Sequence, residues 1–200
     1  MSIAVHRAVE HQAATRAESL AYIDDTRTVT YRELNATANT VARALIASGF
    51  KRGSLAAVHM EKSADLVVTL LAVLKAGGAY MWVDPDDASW PRGVSIVADG
   101  DGVDGRCLAL DVTRVLSEAP RVNPNLPILV RGTDVACVLR DCDNSPAVLV
   151  PHSTITSLPR WAAPREAGWG HERGALDLWV ALMSGSTVIP VERAVETVAA

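Results

Sequence analysis

The residue types able to do chemistry gather in the second half of the chain. Asp141, Cys142 and Asp143 stand in one short run, His152 follows soon after, and His171 and Glu172 are adjacent. A thiolate beside an imidazole makes a nucleophile and base pair, so Cys142 and His152 form a candidate dyad. No third residue that would orient the imidazole is evident, and the expectation favours an ordinary loop thiol and a strand-end histidine. Asp141, Cys142, Asp143 and His152 are also metal-ligand types, yet their spacing fits neither a zinc nor a calcium pattern, so no metal is expected. Glu172 falls at a helix start, where the dipole favours a solvated carboxylate. His6, His11 and His59 have no evident partner. Trp161, Trp169 and Trp179 are expected to pack rather than to stack on a ligand.

These side chains need elements to hold them. Residues 66–86, LVVTLLAVLKAGGAYMWVDPD, are the clearest. Leu66, Val67, Leu70, Leu71, Val73 and Leu74 recur at helical spacing around a wide apolar face. Gly77 and Gly78 stop the helix, since glycine takes the left-handed conformation without steric cost. Residues 79–83 follow as an apolar run of strand length, closed by the turn Asp84-Pro85-Asp86. A strand at 55–60 before this helix completes a βαβ unit, and hence a parallel sheet with a right-handed crossover. Ser63 is placed to cap the helix.

Upstream, residues 5–14 read as a short helix, and 19–23 with 27–30 as a hairpin. Thr30 to Glu33 is a capping box opening a helix whose buried face is Leu34, Ala38, Val41, Ala42 and Leu45, ended by Gly49. Residues 87–125 are rich in Asp, Gly and Pro, with only 107–110 clearly strand-like, and are expected to link two parts of one sheet. Strands are expected at 135–139 and 147–150, a short helix capped by Ser153 or Thr154, a helix at 175–183, a strand at 187–191 and a terminal helix at 192–200.

Bulk properties exclude several classes. The formal net charge is −4 and the pI is near 5.7, which gives no reason to expect nucleic-acid binding. No uncharged apolar stretch is long enough to span a membrane, and the N-terminus carries charges where a signal peptide needs an apolar core. Three cysteines, Cys107, Cys137 and Cys142, make an odd count without metal spacing, as in a reducing cytosol. A cytoplasmic location is expected.

The wording of two segments adds to this. LKAGGAYMWVDPD resembles the LKAGxAYxPLDP motif of adenylation domains of nonribosomal peptide synthetases, in the adenylate-forming ligase superfamily. TYRELN at residues 30–35 is similar to the motif that precedes it, at the family's own spacing. The resemblance is strong over residues 1–86, passes through a linker with short elements at 87–134, and is degenerate over 135–200. It implies an α/β fold with a mostly parallel sheet flanked by helices, like the N-terminal lobe of such a domain.

The resemblance also says where chemistry belongs. In the family the strand at 135–139 would run into a loop rich in Gly, Ser and Thr ending in Pro-Lys-Gly, which cradles ATP phosphates. Here VACVL and VLVPHSTITSL resemble the flanks, but residues 140–146 read RDCDNSP, with neither glycine nor lysine. Asp141 and Asp143 would repel a polyphosphate. His171 to Gly174 occupies the position of the family's Phe-Asp-x-Ser, so Glu172 retains a carboxylate where the family's Asp meets the substrate amine. The segment between His152 and His171 is shorter than the family's, which implies loss of a strand of a second sheet. The family's adenine and ribose contacts and its catalytic C-terminal lysine would fall beyond Ala200. No nucleotide cofactor is therefore expected.

The leading expectation is a truncated, ATP-independent relative, a pseudoenzyme that acts as a binding or accessory protein in nonribosomal peptide, antibiotic or other secondary-metabolite biosynthesis. The alternative is an enzyme that reuses the vacated pocket, with Asp141, Cys142, Asp143, His152 and His171 as candidate catalytic groups and Glu172 as a substrate-binding one. Its substrate would be amino-acid-like or carrier-bound. Genuine amino-acid activation ranks third. The helix and strand at 175–191 would leave an apolar face open, so a homodimer is expected, or a carrier protein or synthetase as partner.

Overall fold

The computed structural model describes residues 3–83, 95–98, 109–122, 124–139, 147–158, 166–169 and 171–190. It opens with helix α1 (Val5–Thr15) and a hairpin of β1 (Leu20–Ile23) and β2 (Thr28–Thr30), paired antiparallel. Helix α2 (Tyr31–Ala47) begins with the expected capping box: Thr30 Oγ1 accepts from the Glu33 amide, and the Glu33 carboxylate accepts from the Thr30 amide. Leu34, Ala38, Val41, Ala42 and Leu45 are all buried.

Strand β3 (Leu55–His59), helix α3 (Ala64–Lys75) and strand β4 (Ala79–Val83) make the βαβ unit, with β3 and β4 parallel. Ser63 caps α3 through the Leu66 amide. All of α3 except Asp65 is buried, so the apolar surface extends right round this helix, as it must when covered on every side. Gly77 takes φ +81°, and at Gly78 a Cβ would fall 2.4 Å from the Phe50 ring. The first glycine reverses the chain and the second lets the strand approach Phe50.

Strands β5 (Ser95–Ala98) and β6 (Ala109–Asp111), helix α4 (Val112–Glu118), strands β7 (Val135–Leu139) and β8 (Val148–Pro151), helix α5 (His152–Ser157), strand β9 (Glu166–Trp169), helix α6 (His171–Ser184) and strand β10 (Thr187–Pro190) follow. The first sheet has six strands in the order β6-β5-β3-β4-β7-β8, all parallel except β8 against β7. This is the mostly parallel sheet expected. Its alternating side chains divide between the main core, with Ala56, Val58, Tyr80 and Cys137, and an opposite face holding Ala57, Met81, Val83 and Val138.

Several expectations need correction. The second sheet has the order β2-β1-β10-β9, in which the N-terminal hairpin joins the C-terminal part of the chain, β1 pairing parallel with β10 at Tyr22 and Val188. Strand β9 stands between His152 and His171, where a lost strand was expected, and it pairs parallel with β10 from Thr187–Glu166 to Pro190–Trp169. Strand β5 lies within the stretch expected to hold a single strand. Helix α6 starts at His171, a turn earlier than expected, with Gly174 inside it. Helix α5 has no side-chain cap from Ser153 or Thr154, because the His152 and Ser153 amides bond instead to the carbonyls of Asp134 and Gly132.

The apolar face at residues 175–191 is not open to a partner. Leu178 to Met183 and Val188 are buried within the chain. Gln12 donates to the Met183 carbonyl, the Tyr31 hydroxyl lies 3.0 and 2.8 Å from the Leu182 and Ser186 carbonyls, and Trp179 Nε1 donates to Tyr80 Oη at 2.6 Å. The physical reason for expecting a homodimer across this face falls away. The expected terminal helix at 192–200 lies outside the described residues, as do Cys107, Cys142 and Trp161.

Candidate functional site

The parallel strands β3, β4 and β7 end along one edge of the first sheet, where open α/β sheets bind their ligands. His59 and Val83 are in register at that edge, and Leu139 closes β7 beside them. Residues 140–146 join Leu139 to Ala147, so RDCDNSP begins and ends here. Asp141, Cys142 and Asp143 themselves lie outside the described residues. On the same edge, Trp82 Nε1 donates to the Met60 carbonyl at 3.0 Å, and the Lys62 ammonium stands 5.6 Å from the Trp82 ring centre.

His152 is at the other edge. The β7–β8 register pairs Leu139 with Val148 but Val135 with Pro151, so His152 starts α5 a strand's length away, roughly 13 Å from Leu139. Its side chain is wholly buried and points into the molecule. The Val5 amide donates to His152 Nδ1 at 3.2 Å, satisfying one of the orphan amides at the start of α1. An accepting Nδ1 places the ring proton on Nε2. His6 packs edge-on against the ring, with centroids 6.0 Å apart. Burial pushes His152 down to about 4, Asp134 opposing, and His6 down to about 2 with help from His152, Lys75 and Arg7. A neutral imidazole that ties α1 to α5 is a structural member, set apart from the edge where 140–146 run.

His171 and Glu172 lie in the first turn of α6, just beyond the carboxyl end of β9 in the second sheet. Their side chains are outside the described part of the molecule. Among the described residues no group of three or more His, Cys, Asp or Glu can hold a metal ion. Cys137 is buried, and burial raises its thiol to about 11, which makes it inert as a nucleophile at neutral pH.

One polar group went unforeseen. Lys75, the last residue of α3, has a fully buried side chain and reaches Glu10 of α1 at 2.5 Å. Arg7 closes on the other Glu10 oxygen at 2.8 Å, and Asn125 Oδ1 stands 3.2 Å from Lys75 Nζ while accepting from Asn35 and Asn39. Burial lowers the ammonium to about 8, with Glu10 opposing. The signal was a charged residue closing an otherwise apolar helix, opposite a helix with its own acidic residue. The network clamps α1, α2, α3 and the 124–128 segment. Its central pair, Lys75 and Glu10, is buried, so it serves the fold rather than a substrate.

At the amino ends of β3, β4 and β7 an open groove of about 510 Å³ is lined by Arg52, Gly53, Gly77, Ala79, Thr133, Asp134 and Val135. The Arg52–Asp134 pair, 2.9 Å, spans it. Backbone and guanidinium hydrogen bonds together hold the Asp134 carboxyl below its usual range.

Comparison with known proteins places this architecture. The AMP-binding enzyme family matches residues 9–92. Surfactin synthase subunit 2 of Bacillus subtilis (strain 168) is 32% identical over 222 residues, covering 96% of this chain but 6% of that protein. Tyrocidine synthase 1 of Brevibacillus parabrevis is 43% identical over 88 residues, 44% of this chain and 8% of its own length. The chain thus spans a small part of the curated relatives it matches. Among solved structures, the N-terminal subdomain of Klebsiella oxytoca NpsA superposes with a TM-score of 0.83 at 19% identity, covering 98% of this chain and 60% of that one. The nonribosomal peptide synthetase FmoA3 superposes equally well, at 0.83 and 20% identity, over 95% of this chain and 23% of its own. The chain belongs to the AMP-binding enzyme family and carries an N-terminal part of a nonribosomal peptide synthetase adenylation domain.

Proposed function

We propose that this chain works in nonribosomal peptide or related secondary-metabolite biosynthesis as an ATP-independent binding or accessory protein. The observation that carries this is the composition of residues 140–146 between β7 and β8. RDCDNSP has no glycine to turn amides towards a phosphate and no lysine to neutralise one. Its two carboxylates have the wrong sign for a polyphosphate. Those residues do not fit ATP.

The second possibility, a reused pocket, keeps Asp141, Cys142 and Asp143 as its candidates at the carboxyl edge of the first sheet, with His171 and Glu172 on α6. His152 does not support it, because its imidazole is committed to the Val5 amide at the opposite edge. The partner we favour is a carrier protein or synthetase. NpsA-ThdA of Klebsiella oxytoca, a solved protein of similar fold, is an artificially fused adenylation–PCP di-domain, which supports that choice.

The test is amino-acid-dependent ATP–pyrophosphate exchange together with calorimetric titration of ATP and Mg²⁺. Neither exchange above background nor saturable heat is expected. Exchange that a point change in residues 140–146 abolishes would overturn the proposal.

A further inference from the structure

We propose that His6 and His152 form an acid-released latch on the first turn of α1. Protonation frees that turn from α5 while both sheets stay folded. The latch stands independently of the function proposed above. Its parts are the Val5 amide, His6 next to it in the chain, and His152 at the start of α5.

The imidazole stands in for an ordinary helix cap. Ser, Thr, Asp or Asn usually precedes a helix and accepts from its first free amides. Ala4 holds that position here and has no such oxygen, and the first turn of α1 carries no acidic residue. The Ala4 carbonyl takes the Arg7 and Ala8 amides. The Val5 amide goes instead to His152 Nδ1, 147 residues along the chain. A hydroxyl cap keeps its acceptor in mild acid. An imidazole does not, because a protonated ring has two donors and no acceptor. Its charge would also stand at the positive end of the α1 dipole.

The surroundings offer a proton no welcome in place. His6 and His152 are both buried, with His152 Nε2 and both ring nitrogens of His6 lacking a hydrogen-bond partner among the described residues. A proton gained there would be a buried charge without an acceptor. Helices α2, α3, α5 and α6 pack on α1. Arg7 of α1 and Lys75 of α3 face His6 as cations, and both already hold Glu10. Arg43 of α2 acts on Lys75, and Asp134 alone favours a charged His152. His11 of α1 and Asp177 of α6 are exposed. Protons are therefore taken up by opening. Further along, α1 is held by the Lys75–Glu10 pair and by Gln12 on the Met183 carbonyl, which confines the opening to the first turn.

Amide hydrogen exchange of the full chain by NMR, corrected for the intrinsic rate at each pH, tests this. Opening that lets both histidines take up a proton should lower Val5 amide protection by about 500-fold between pH 7 and pH 5. A local opening exposes little surface, so the Val5 value should barely respond to about 1 M urea, whereas the Leu70 and Leu71 amides inside α3 should respond strongly. In His6→Leu one titrating ring remains, and the fall should shrink to about 20-fold. His152→Gln supplies an oxygen that mild acid does not protonate, and should also leave a fall of about 20-fold. The proposal is overturned if Val5 protection is unchanged between pH 7 and pH 5. It is equally overturned by a Val5 urea response matching that of α3, or by a fall in His6→Leu as large as the parent's.

Discussion

The two sheets are assembled by opposite routes. In the six-stranded sheet β3 and β4 are joined by α3 alone, and their register runs unbroken from Leu55–Ala79 to His59–Val83. In the four-stranded sheet β1 lies beside β10, Tyr22 against Val188. Local chain dictates the first: a cap at Ser63, a helix with an apolar surface on nearly every side, a glycine pair and a strand all agree on one answer. The second combines two local units, the β1–β2 hairpin and β9–α6–β10, and is completed only when β1 meets the distant β10, so loop closure must be met before that contact stabilises anything. Local patterning specifies that a strand exists; it does not say which strand it joins.

The largest effect should come from the first region. Lys75 closes α3 behind the six-stranded sheet, and its partner Glu10 is 7% exposed. Removing one partner of a buried pair strands the other charge, so Lys75→Met should lose about 3–5 kcal/mol by denaturant unfolding. Pairing it with Glu10→Leu should restore much of that loss. A single variant within about 1 kcal/mol of the parent would mean that the clamp contributes little to the first sheet.

Next come the glycines that end the two connecting helices. A Cβ on Gly78 meets the Phe50 ring at 2.4 Å and the Ser54 carbonyl at 2.8 Å, an oxygen already held by the Ala79 amide. Gly78→Ala should therefore cost about 1–3 kcal/mol through overpacking. At Gly185 the nearest atoms are the ends of the Arg16 and Gln12 side chains, which can shift more readily than backbone although Gln12 also bonds the Met183 carbonyl, and the main penalty is the positive φ of +80°. Gly185→Ala should cost about 1 kcal/mol. Equal midpoints for the two variants would erase the contrast between a tightly specified junction and an adaptable one.

The same contrast explains what could be read beforehand. The capping box at Thr30, the buried face of α2, the Ser63 cap and the β3–α3–β4 unit follow from neighbouring residues and appear as expected. Of the second sheet, β9 was missed because its four residues, EAGW, show little alternation, and the pairing of β1 with β10 because those segments are far apart in the chain. Lys75 was missed because its meaning depends on Glu10, far away in sequence. For the candidate site, composition at 140–146 spoke to phosphate binding, whereas the antiparallel register that carries His152 to the far edge could not be inferred from its closeness to Cys142 in the chain.

His6 and His152 join α1 to α5 and so link the N-terminal helix to the edge of the first sheet. Both are buried and neutral, with folded values near 2 and 4 against 6.5 for an ordinary histidine. As pH falls below 6.5 the unfolded chain takes up protons that the folded chain refuses. Stability should therefore fall with pH, by about 1.4 kcal/mol per unit for each histidine, until the folded values are reached. Lys75 and Arg7 facing His6 reinforce this, while Asp134 near His152 opposes it. His6→Leu should flatten the acid limb and recover about 2 kcal/mol at pH 5 relative to its own stability at pH 7. An unchanged slope would show that the histidines do not govern the acid limb.

The smallest effect belongs to the surface beside the second sheet. Arg32 on α2 and Glu18, just before β1, approach to 2.5 Å, as close as Lys75 and Glu10, yet their side chains are 63% and 76% exposed. Water screens both charges in either state, and holding two long side chains in one geometry costs entropy that offsets the attraction. Glu18→Gln should therefore change unfolding stability by less than about 0.5 kcal/mol, and added salt should remove even that. Two pairs of equal length then differ by several kcal/mol through burial alone. A loss at Glu18 comparable with that at Lys75 would mean that the second sheet relies on its rim, and that the pairing of β1 with β10 is weaker than their buried core of Tyr22 and Val188 implies.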